Sequence, residues 1–273
     1  MTWIAAVARL RARRESGVLV TVATVRGHAP RAAGAKLVVG HDETWGSIGG
    51  GNVEAVAIDR AREMLTTMPT AADAEPELMD FALNDKVTNQ HGVQCCGGTV
   101  SILLEPLPVV RAVAIFGVGH VGLELARILA RHDLDLHLID SRADMLTDTR
   151  LDSLSDAVAQ LHVHHTPLLP EEILEDLPHG THVLIMTHDH AEDAALCDAA
   201  LRTTHLGSVG LIGSAAKWAR FRKRLATEGG HDDAAIDRIK TPIGLPDITG
   251  KEPATIAVSV AADLLRRFKD EGE

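Results

Sequence analysis

Cysteine is scarce in this sequence, with three in 273 residues: Cys95, Cys96 and Cys197. Three cysteines cannot form the disulfide framework of a small secreted protein, and they are too few for a four-cysteine zinc site. Two of them are adjacent, a spacing that favours redox or ligand chemistry over a structural cross-link. The sequence therefore predicts a protein of the reducing cytoplasm.

Basic residues and long apolar runs are also in short supply. The 27 Lys and Arg are outnumbered by 38 Asp and Glu, which gives a formal net charge of −11 with histidine neutral. This balance argues against broad binding to nucleic acid or to an anionic membrane, because both require a basic surface. No run approaches the roughly 18 apolar residues that span a bilayer, and we expect no signal peptide at residues 1–15. An anionic ligand would have to meet a local basic cluster.

The first hundred residues alternate short apolar runs with glycine-rich turns, which predicts a small α+β domain with its special residues on loops. The apolar spacing predicts strands at 18–25, 35–39 and 99–104 and a helix at 53–66. Asn52 is well placed to be the N-cap of that helix. The prolines of segment 105–108 predict a domain boundary, so that the first domain comprises residues 1–107.

From residue 108 onward, apolar strand patterns alternate with amphipathic helix patterns. This alternation predicts an α/β fold, in which a Rossmann-like doubly wound parallel sheet occupies 108–273 and ends in a C-terminal helix. The predicted strands and helices are 111–116, 121–130, 134–139, 183–187, 191–203, 208–212, 215–227 and 253–267.

A glycine pattern joins the first strand and helix of the second domain. Residues Gly117, Gly119 and Gly122 fit the G-x-G-x-x-G spacing, and Asp140 ends the next strand. Such glycines let a pyrophosphate approach a helix N-terminus, and such a carboxylate binds a ribose. The alternative is a tight turn that the fold requires in a domain that binds no nucleotide.

Basic residues crowd one short segment against the sign of the whole chain: Arg26, His28, Arg31 and Lys36. Guanidinium groups bind phosphates bidentately, so this segment is a candidate anion site. The neighbouring loop 46–51, with Gly49, Gly50 and Gly51, resembles an anion-binding turn that leads into a helix. The alternative is a set of solvated side chains around a turn.

Cys95 and Cys96 precede Gly97 and Gly98, so the sulfurs lie on a loop that a bulky ligand can approach. Thiolates are soft metal ligands and nucleophiles, whereas the alternative is a pair of small buried apolar side chains. Polar residues also follow two strands of the second domain, namely His188, His190 and Ser214. A metal or a phosphate is one interpretation of these residues, and helix capping is the other.

The motifs, in their order along almost the whole chain, resemble the xanthine dehydrogenase accessory protein family, XdhC and its relative CoxI. Asn52 stands where one branch of that family has cysteine, which points to the XdhC branch. The matching segments are 23–31, 34–36, 46–54, 94–98, 117–122, 186–190, 210–217 and 242–245.

The resemblance implies a cytoplasmic, non-catalytic chaperone, often dimeric, with an accessory domain at 1–107 and a Rossmann-like domain at 108–273. Its implied cargo is the molybdenum cofactor (molybdopterin), which it shields, helps a cysteine desulfurase to sulfurate, and delivers to a molybdenum hydroxylase of the xanthine dehydrogenase type. Arg26, Arg31 and Lys36 would receive the phosphate, and Cys95 or Cys96 would lie near the metal.

Two other functions stay open from the residues alone. One is an NAD(P)-dependent oxidoreductase that binds its nucleotide at Gly117–Gly122 and Asp140 and uses His188 as acid or base. The other is a protein-interaction adaptor with a vestigial pocket.

Overall fold

A computed structural model describes residues 1–67, 75–83 and 98–270. The chain separates into two compact units, Arg111–Phe268 and a first unit that comprises Met1–Val110 with the few residues after Phe268. Within the described residues, no helix combines the length and the apolar character that crossing a membrane requires.

The first unit is a five-stranded antiparallel sheet with helices against it. The strand order is β3-β2-β1-β5-β4. The elements are α1 (Trp3–Arg13), β1 (Gly17–Arg26), β2 (Lys36–Val39), β3 (Thr44–Gly46), α2 (Gly51–Thr67), β4 (Glu77–Ala82) and β5 (Thr99–Leu107).

Both faces of this sheet are covered at strand β2. Leu37 and Val39 belong to the apolar core that includes Val53, Ala57 and other residues of α2. Val38, which points to the opposite face, packs with Ala6 and Leu10 of α1. A strand that is buried on two sides has no polar face, and this explains why β2 is an unbroken apolar run.

One local prediction for this unit is wrong. Helix α2 begins at Gly51, so the buried Asn52 lies inside its first turn and is not its N-cap. Strand β5 continues through Pro106, which pairs with Val18. The pairing of β4 with β5 ends at Leu104, so Pro106 lies beyond that pairing, where a proline is more easily tolerated.

The second unit is a six-stranded parallel sheet, as the sequence predicts, in the order β11-β10-β9-β6-β7-β8. Its strands are β6 (Ala112–Phe116), β7 (Asp135–Asp140), β8 (Gln160–His165), β9 (His182–Ile185), β10 (Ser208–Leu211) and β11 (Ile239–Lys240). Its helices are α3 (His120–Leu129), α4 (Asp148–Leu151), α5 (Ile173–Asp176), α6 (His190–Arg202), α7 (Ala215–Thr227), α8 (Asp233–Ile236) and α9 (Pro253–Asp270).

Helices pack on both faces of this sheet. Ala114 and Phe116 of β6 join the core that contains Leu196 and Cys197 of α6. Ile115 points to the opposite face, where Gly122 brings α3 close to it. The strand order reverses between β6 and β9, and ligands of doubly wound sheets bind outside the carboxyl ends of the strands at such a reversal. The segments that follow β6, β7 and β9 are therefore the second unit's candidate site.

Candidate functional site

In the first unit, the basic turn lies against Gly98, two positions after the double cysteine in the sequence. Arg26 pairs with Thr99 at the end of the β1–β5 ladder. A Cβ atom added to Gly98 would lie 2.3 Å from the carbonyl oxygen of His28 and 2.6 Å from that of Arg26. Only glycine allows this approach between backbones. Cys95, Cys96 and Gly97 lie outside the described residues, and Gly98 is where the described chain resumes.

The glycine loop 46–51 contacts the same turn. A Cβ atom added to Gly49, whose φ is +130°, would lie 2.8 Å from Cβ of Pro30 and 3.5 Å from Cγ of Arg31. The structure therefore brings three sequence motifs into one region of the first unit: the turn 26–31, the loop with Gly49–Gly51, and Gly98. The side chains of Arg26 and Arg31 are exposed there.

The half-buried carboxylate of Glu54 organises the glycine loop. Oε2 of Glu54 accepts hydrogen bonds from Oγ of Ser47 at 2.6 Å and from the amides of Ile48 and Gly50 at 2.9 and 3.0 Å. Burial by itself raises the pKa of Glu54, but these donors outweigh burial and lower it. The Gly49 amide donates to Ser47. The amides of Ile48, Gly49 and Gly50 therefore already have partners within the protein.

The hollow beneath these loops is small and largely apolar. It is lined by Pro30, Arg31, Ile48 and Gly50 together with core side chains such as Val100, and its volume is about 10 Å³. This is room for about one water molecule. A larger ligand would have to lie on the loops themselves.

Lys36 does not join the basic turn, contrary to the prediction. Its Nζ donates to Oγ1 of Thr21 at 2.8 Å and lies 5.2 Å from the centre of the Trp3 ring. Thr21 precedes Arg26 by five residues on β1, a separation of roughly 16 Å along a strand. Sequence proximity grouped Lys36 with the turn, but strand pairing with β1 carries it away.

In the second unit, two of the three glycines of the turn after β6 are required by their surroundings. Gly117 has a φ of +102°, and a Cβ atom there would lie 2.4 Å from the Met186 carbonyl oxygen. A Cβ atom on Gly122 would lie 2.1 Å from the carbonyl oxygen of Gly117. At Gly119 the nearest atom is Nη2 of Arg142 at 4.0 Å, so that position is open.

Asp140 holds this turn closed. Its buried carboxylate accepts from the Val118 amide at 2.8 Å, from the Arg142 amide at 3.0 Å, and from Nε and Nη2 of Arg142 at 2.9 and 3.0 Å. Burial raises the pKa of Asp140, but these hydrogen bonds outweigh burial and lower it. Both oxygens are occupied by the protein, so the predicted role in binding ribose hydroxyls would require Arg142 to move.

A second carboxylate accepts a hydrogen bond that spans the end of β6. Oε2 of Glu192, in the first turn of α6, accepts from Oγ of Ser141 at 3.0 Å. Ser141 follows β7 and α6 follows β9, and β6 lies between these strands, so this bond spans the start of the glycine turn. Burial raises the pKa of Glu192, with opposing contributions from Ser141 and His188. Sequence reasoning missed Arg142 and Glu192, although both lie within a few residues of predicted positions.

The remaining predicted residues begin helices. Asp189 caps α6 by accepting from the Ala191 amide at 2.7 Å, and Ser214 caps α7 by accepting from the Lys217 amide at 3.3 Å. His188 and His190 are exposed beside the α6 cap. Among the described residues, no group of three or more His, Cys, Asp or Glu side chains could hold a metal ion. Capping therefore accounts for Asp189 and Ser214, and a ligand role for His188 and His190 stays a prediction.

A buried ion pair joins these two caps. Nζ of Lys217 donates to Oδ2 of Asp193 and, at 3.0 Å, to the carbonyl oxygen of Ile212. The other oxygen of Asp193 accepts from the amide and the hydroxyl of Thr187, at 3.1 and 2.8 Å. The pair thereby fixes the loops after β9 and β10 to each other.

Comparisons with known proteins match both units. The family model of the XdhC Rossmann domain matches residues 113–264, and that of the XdhC and CoxI family matches residues 10–73. The uncharacterised protein YqeB of Escherichia coli is 25% identical over 241 residues, which cover 88% of this chain but 41% of that protein. The chain thus spans less than half of its curated relative.

Two solved structures are also similar. A Bacillus halodurans protein described as a xanthine dehydrogenase has a TM-score of 0.50 and 18% identity, over 99% of this chain and 96% of that chain. The Escherichia coli tRNA N6-threonylcarbamoyladenosine dehydratase has a TM-score of 0.44 and 14% identity, over 59% of this chain and 87% of that chain. The first of these supports the fold of the whole chain.

Proposed function

The chain belongs to the XdhC and CoxI family, and on that premise we propose that it is a maturation factor for a molybdenum hydroxylase of the xanthine dehydrogenase type. It binds the molybdenum cofactor as cargo, shields it, presents it to a cysteine desulfurase for sulfuration, and inserts it into the hydroxylase. The chain itself is not a catalyst in this proposal.

The observation that carries this proposal is the meeting of three motifs in the first unit. The turn 26–31 contacts both the glycine loop, through Gly49, and Gly98, which follows the double cysteine in the sequence. A molybdopterin carries a phosphate at one end and a sulfur-bound metal at the other. Guanidinium groups and thiolates are the protein groups that suit these two ends.

Each part of the region has a role in the proposal. Arg26 and Arg31 bind the phosphate, since both are exposed cations in a chain of net charge −11. Gly49, Gly50 and Gly51 leave room for the cargo, because these three residues have no side chains and Glu54 holds the Gly50 amide. Cys95 or Cys96 contacts the metal or its terminal sulfur.

Cofactor loading tests the phosphate site. The protein is purified under reducing conditions from cells that make the cofactor, and bound molybdenum and oxidised pterin fluorescence are measured. We expect the double variant Arg26→Ala and Arg31→Ala to retain less than a tenth of the wild-type load. Arg62→Ala removes an exposed arginine from α2 of the same unit and serves as the matched control. Equal loading of all three proteins would refute the phosphate site.

Activation of the recipient hydroxylase tests the sulfur step. We expect the double variant Cys95→Ala and Cys96→Ala to lose most activation of the hydroxylase by sulfurated cofactor, because sulfur delivery needs a thiol near the metal. If wild-type protein neither carries the cofactor nor activates the hydroxylase, the proposed function is wrong. If it does both and the cysteine variant acts like wild type, the cysteines have another role.

A further inference from the structure

A cavity of about 240 Å³ lies in the second unit, away from the segments that follow β6, β7 and β9. Its floor is Gly210 and Leu184 on the sheet face opposite the α6 core, one side is the turn 241–244 after β11, and α9 forms its roof. Ile243 and Leu184 pack directly against Gly210, because that residue has no side chain. A Cβ atom there would lie 2.7 Å from Cγ2 of Ile243 and 3.2 Å from Cδ2 of Leu184.

The charged side chains that line this cavity are Lys240, Arg266, Arg267 and Asp263. Three cations against one carboxylate give a local charge of +2, in a chain whose formal net charge is −11. Asp263 accepts from Nη2 of Arg266 at 2.9 Å and from Nε and Nη2 of Arg267 at 3.1 Å. It therefore holds both guanidinium groups at the cavity wall without neutralising them.

A buried hydroxyl in the same wall supplies an independent observation. Oγ1 of Thr241 is inaccessible to solvent and has no hydrogen-bond partner among the described residues. Leaving a polar group buried and unsatisfied is unfavourable, so such groups call for an explanation. Thr241 lines the cavity, and rotation of its side chain about χ1 would turn this hydroxyl toward the acceptor oxygens of a bound ligand.

We propose that this cavity binds a small phosphate monoester. A phosphate monoester carries a charge of about −1.5 to −2 at neutral pH and several strong acceptor oxygens, which match a site of charge +2 with a hydroxyl donor. A carboxylate ligand, with its charge of −1, would neutralise only half of the +2 charge of the site. This inference does not depend on the proposed function, since none of its residues belongs to the cargo site.

The remaining walls set the size and nature of the rest of the ligand. Leu184, Ile243, Val260 and Leu264 form an apolar side, which suits a short hydrocarbon or ring portion. Pockets for drug-sized ligands have volumes of about 300–1,000 Å³, so this cavity is too small for a dinucleotide. Arg266 is 60% exposed and Arg267 23% exposed, which places the charged end toward solvent.

Binding is tested with three probes on the full chain by calorimetry. These probes are phenyl phosphate, benzoate and inorganic phosphate, which separate the organic monoester from its carboxylate analogue and from the free ion. We expect phenyl phosphate to bind at least tenfold more tightly than the other two probes. Arg267→Gln should weaken its binding at least tenfold, whereas Arg220→Gln, an exposed arginine on α7, should leave it unchanged.

The variant Thr241→Val separates a ligand role from a structural one. It keeps the shape of the side chain and removes the hydroxyl that has no partner, so the ligand-free protein should be as stable as wild type or more stable. Phenyl phosphate affinity should fall severalfold. Binding that is undetectable in wild type, or that is equally strong in the Arg267 and Thr241 variants, would overturn the proposal, as would inorganic phosphate binding as tightly as phenyl phosphate.

Discussion

Asp140 fixes the glycine turn of the second unit through hydrogen bonds from the Val118 amide and from the backbone and side chain of Arg142. A buried carboxylate is stable only when it is satisfied in this way. The same bonds that stabilise the charge also connect the end of β7 to the turn after β6. The residue therefore acts on the shape of the turn whether or not a nucleotide binds.

We expect Asp140→Asn to lower the free energy of unfolding by about 1–3 kcal/mol at pH 7, since a charge-assisted pair with Arg142 is lost. The folded-state pKa of Asp140 lies below its ordinary value. The stabilisation is therefore present above about pH 4 and is lost as the pH falls through the folded-state pKa.

Urea unfolding from pH 7 to pH 3 measures this difference. The gap between wild type and Asp140→Asn should narrow at the acid end. The exposed Asp247 provides the control, because Asp247→Asn should unfold like wild type across the range. A difference in the free energy of unfolding that stays constant with pH would mean that the charge of Asp140 does not contribute to stability.

Among the elements, the segment formed by β6, its turn and α3 shows that glycines of one motif contribute unequally to stability. We expect Gly122→Ala to destabilise the second unit by about 1–3 kcal/mol, because its Cβ atom would lie 2.1 Å from the Gly117 carbonyl oxygen. Gly119→Ala should unfold within about 0.5 kcal/mol of wild type, since that position is open. Thermal unfolding of the two variants measures this difference. An equal loss of stability in both variants would contradict the prediction.

The sequence predicts those strands whose burial is complete and misses those at the edges. Ala112–Phe116 is buried throughout, so β6 is an unbroken apolar run that is easy to recognise. Strand β8 lies at an edge, is half-exposed and contains three histidines, and β4 is an edge strand with Leu78 exposed. Their pairing depends on partners distant in sequence, which composition does not report.

The same limit applies to the site. The basic turn, the glycine loop and the double cysteine are each visible as motifs in the sequence, but the contact of the turn with Gly98 follows from the β1–β5 pairing that sets Arg26 opposite Thr99. Lys36 is close to the turn in sequence, yet its strand pairs so that the ammonium meets Thr21. Long-range register therefore decides which motifs meet.

On the scale of the whole molecule, the second unit has its own hydrophobic core and a contact between its first and last residues. Arg111, its first residue, donates to the carbonyl oxygen of Phe268 and lies 4.9 Å from the centre of that ring. A unit with such a core can in principle fold alone. We expect a fragment of residues 111–268 to unfold cooperatively in calorimetry, with a calorimetric enthalpy equal to the van't Hoff enthalpy.

The fragment with Arg111→Ala should melt a few degrees lower, because the closing contact is lost. A fragment with no cooperative transition would show that the unit depends on the rest of the chain.

Cys197 is fully buried in α6, and burial raises the pKa of its thiol to about 12. A protonated, enclosed sulfur reacts slowly with alkylating reagents. Any iodoacetamide adduct that forms on native protein, followed by peptide mass spectrometry, can thus be assigned to Cys95 or Cys96. Maleimide coupling to native protein would for the same reason leave Cys197 unlabelled, so that this cysteine need not be mutated first.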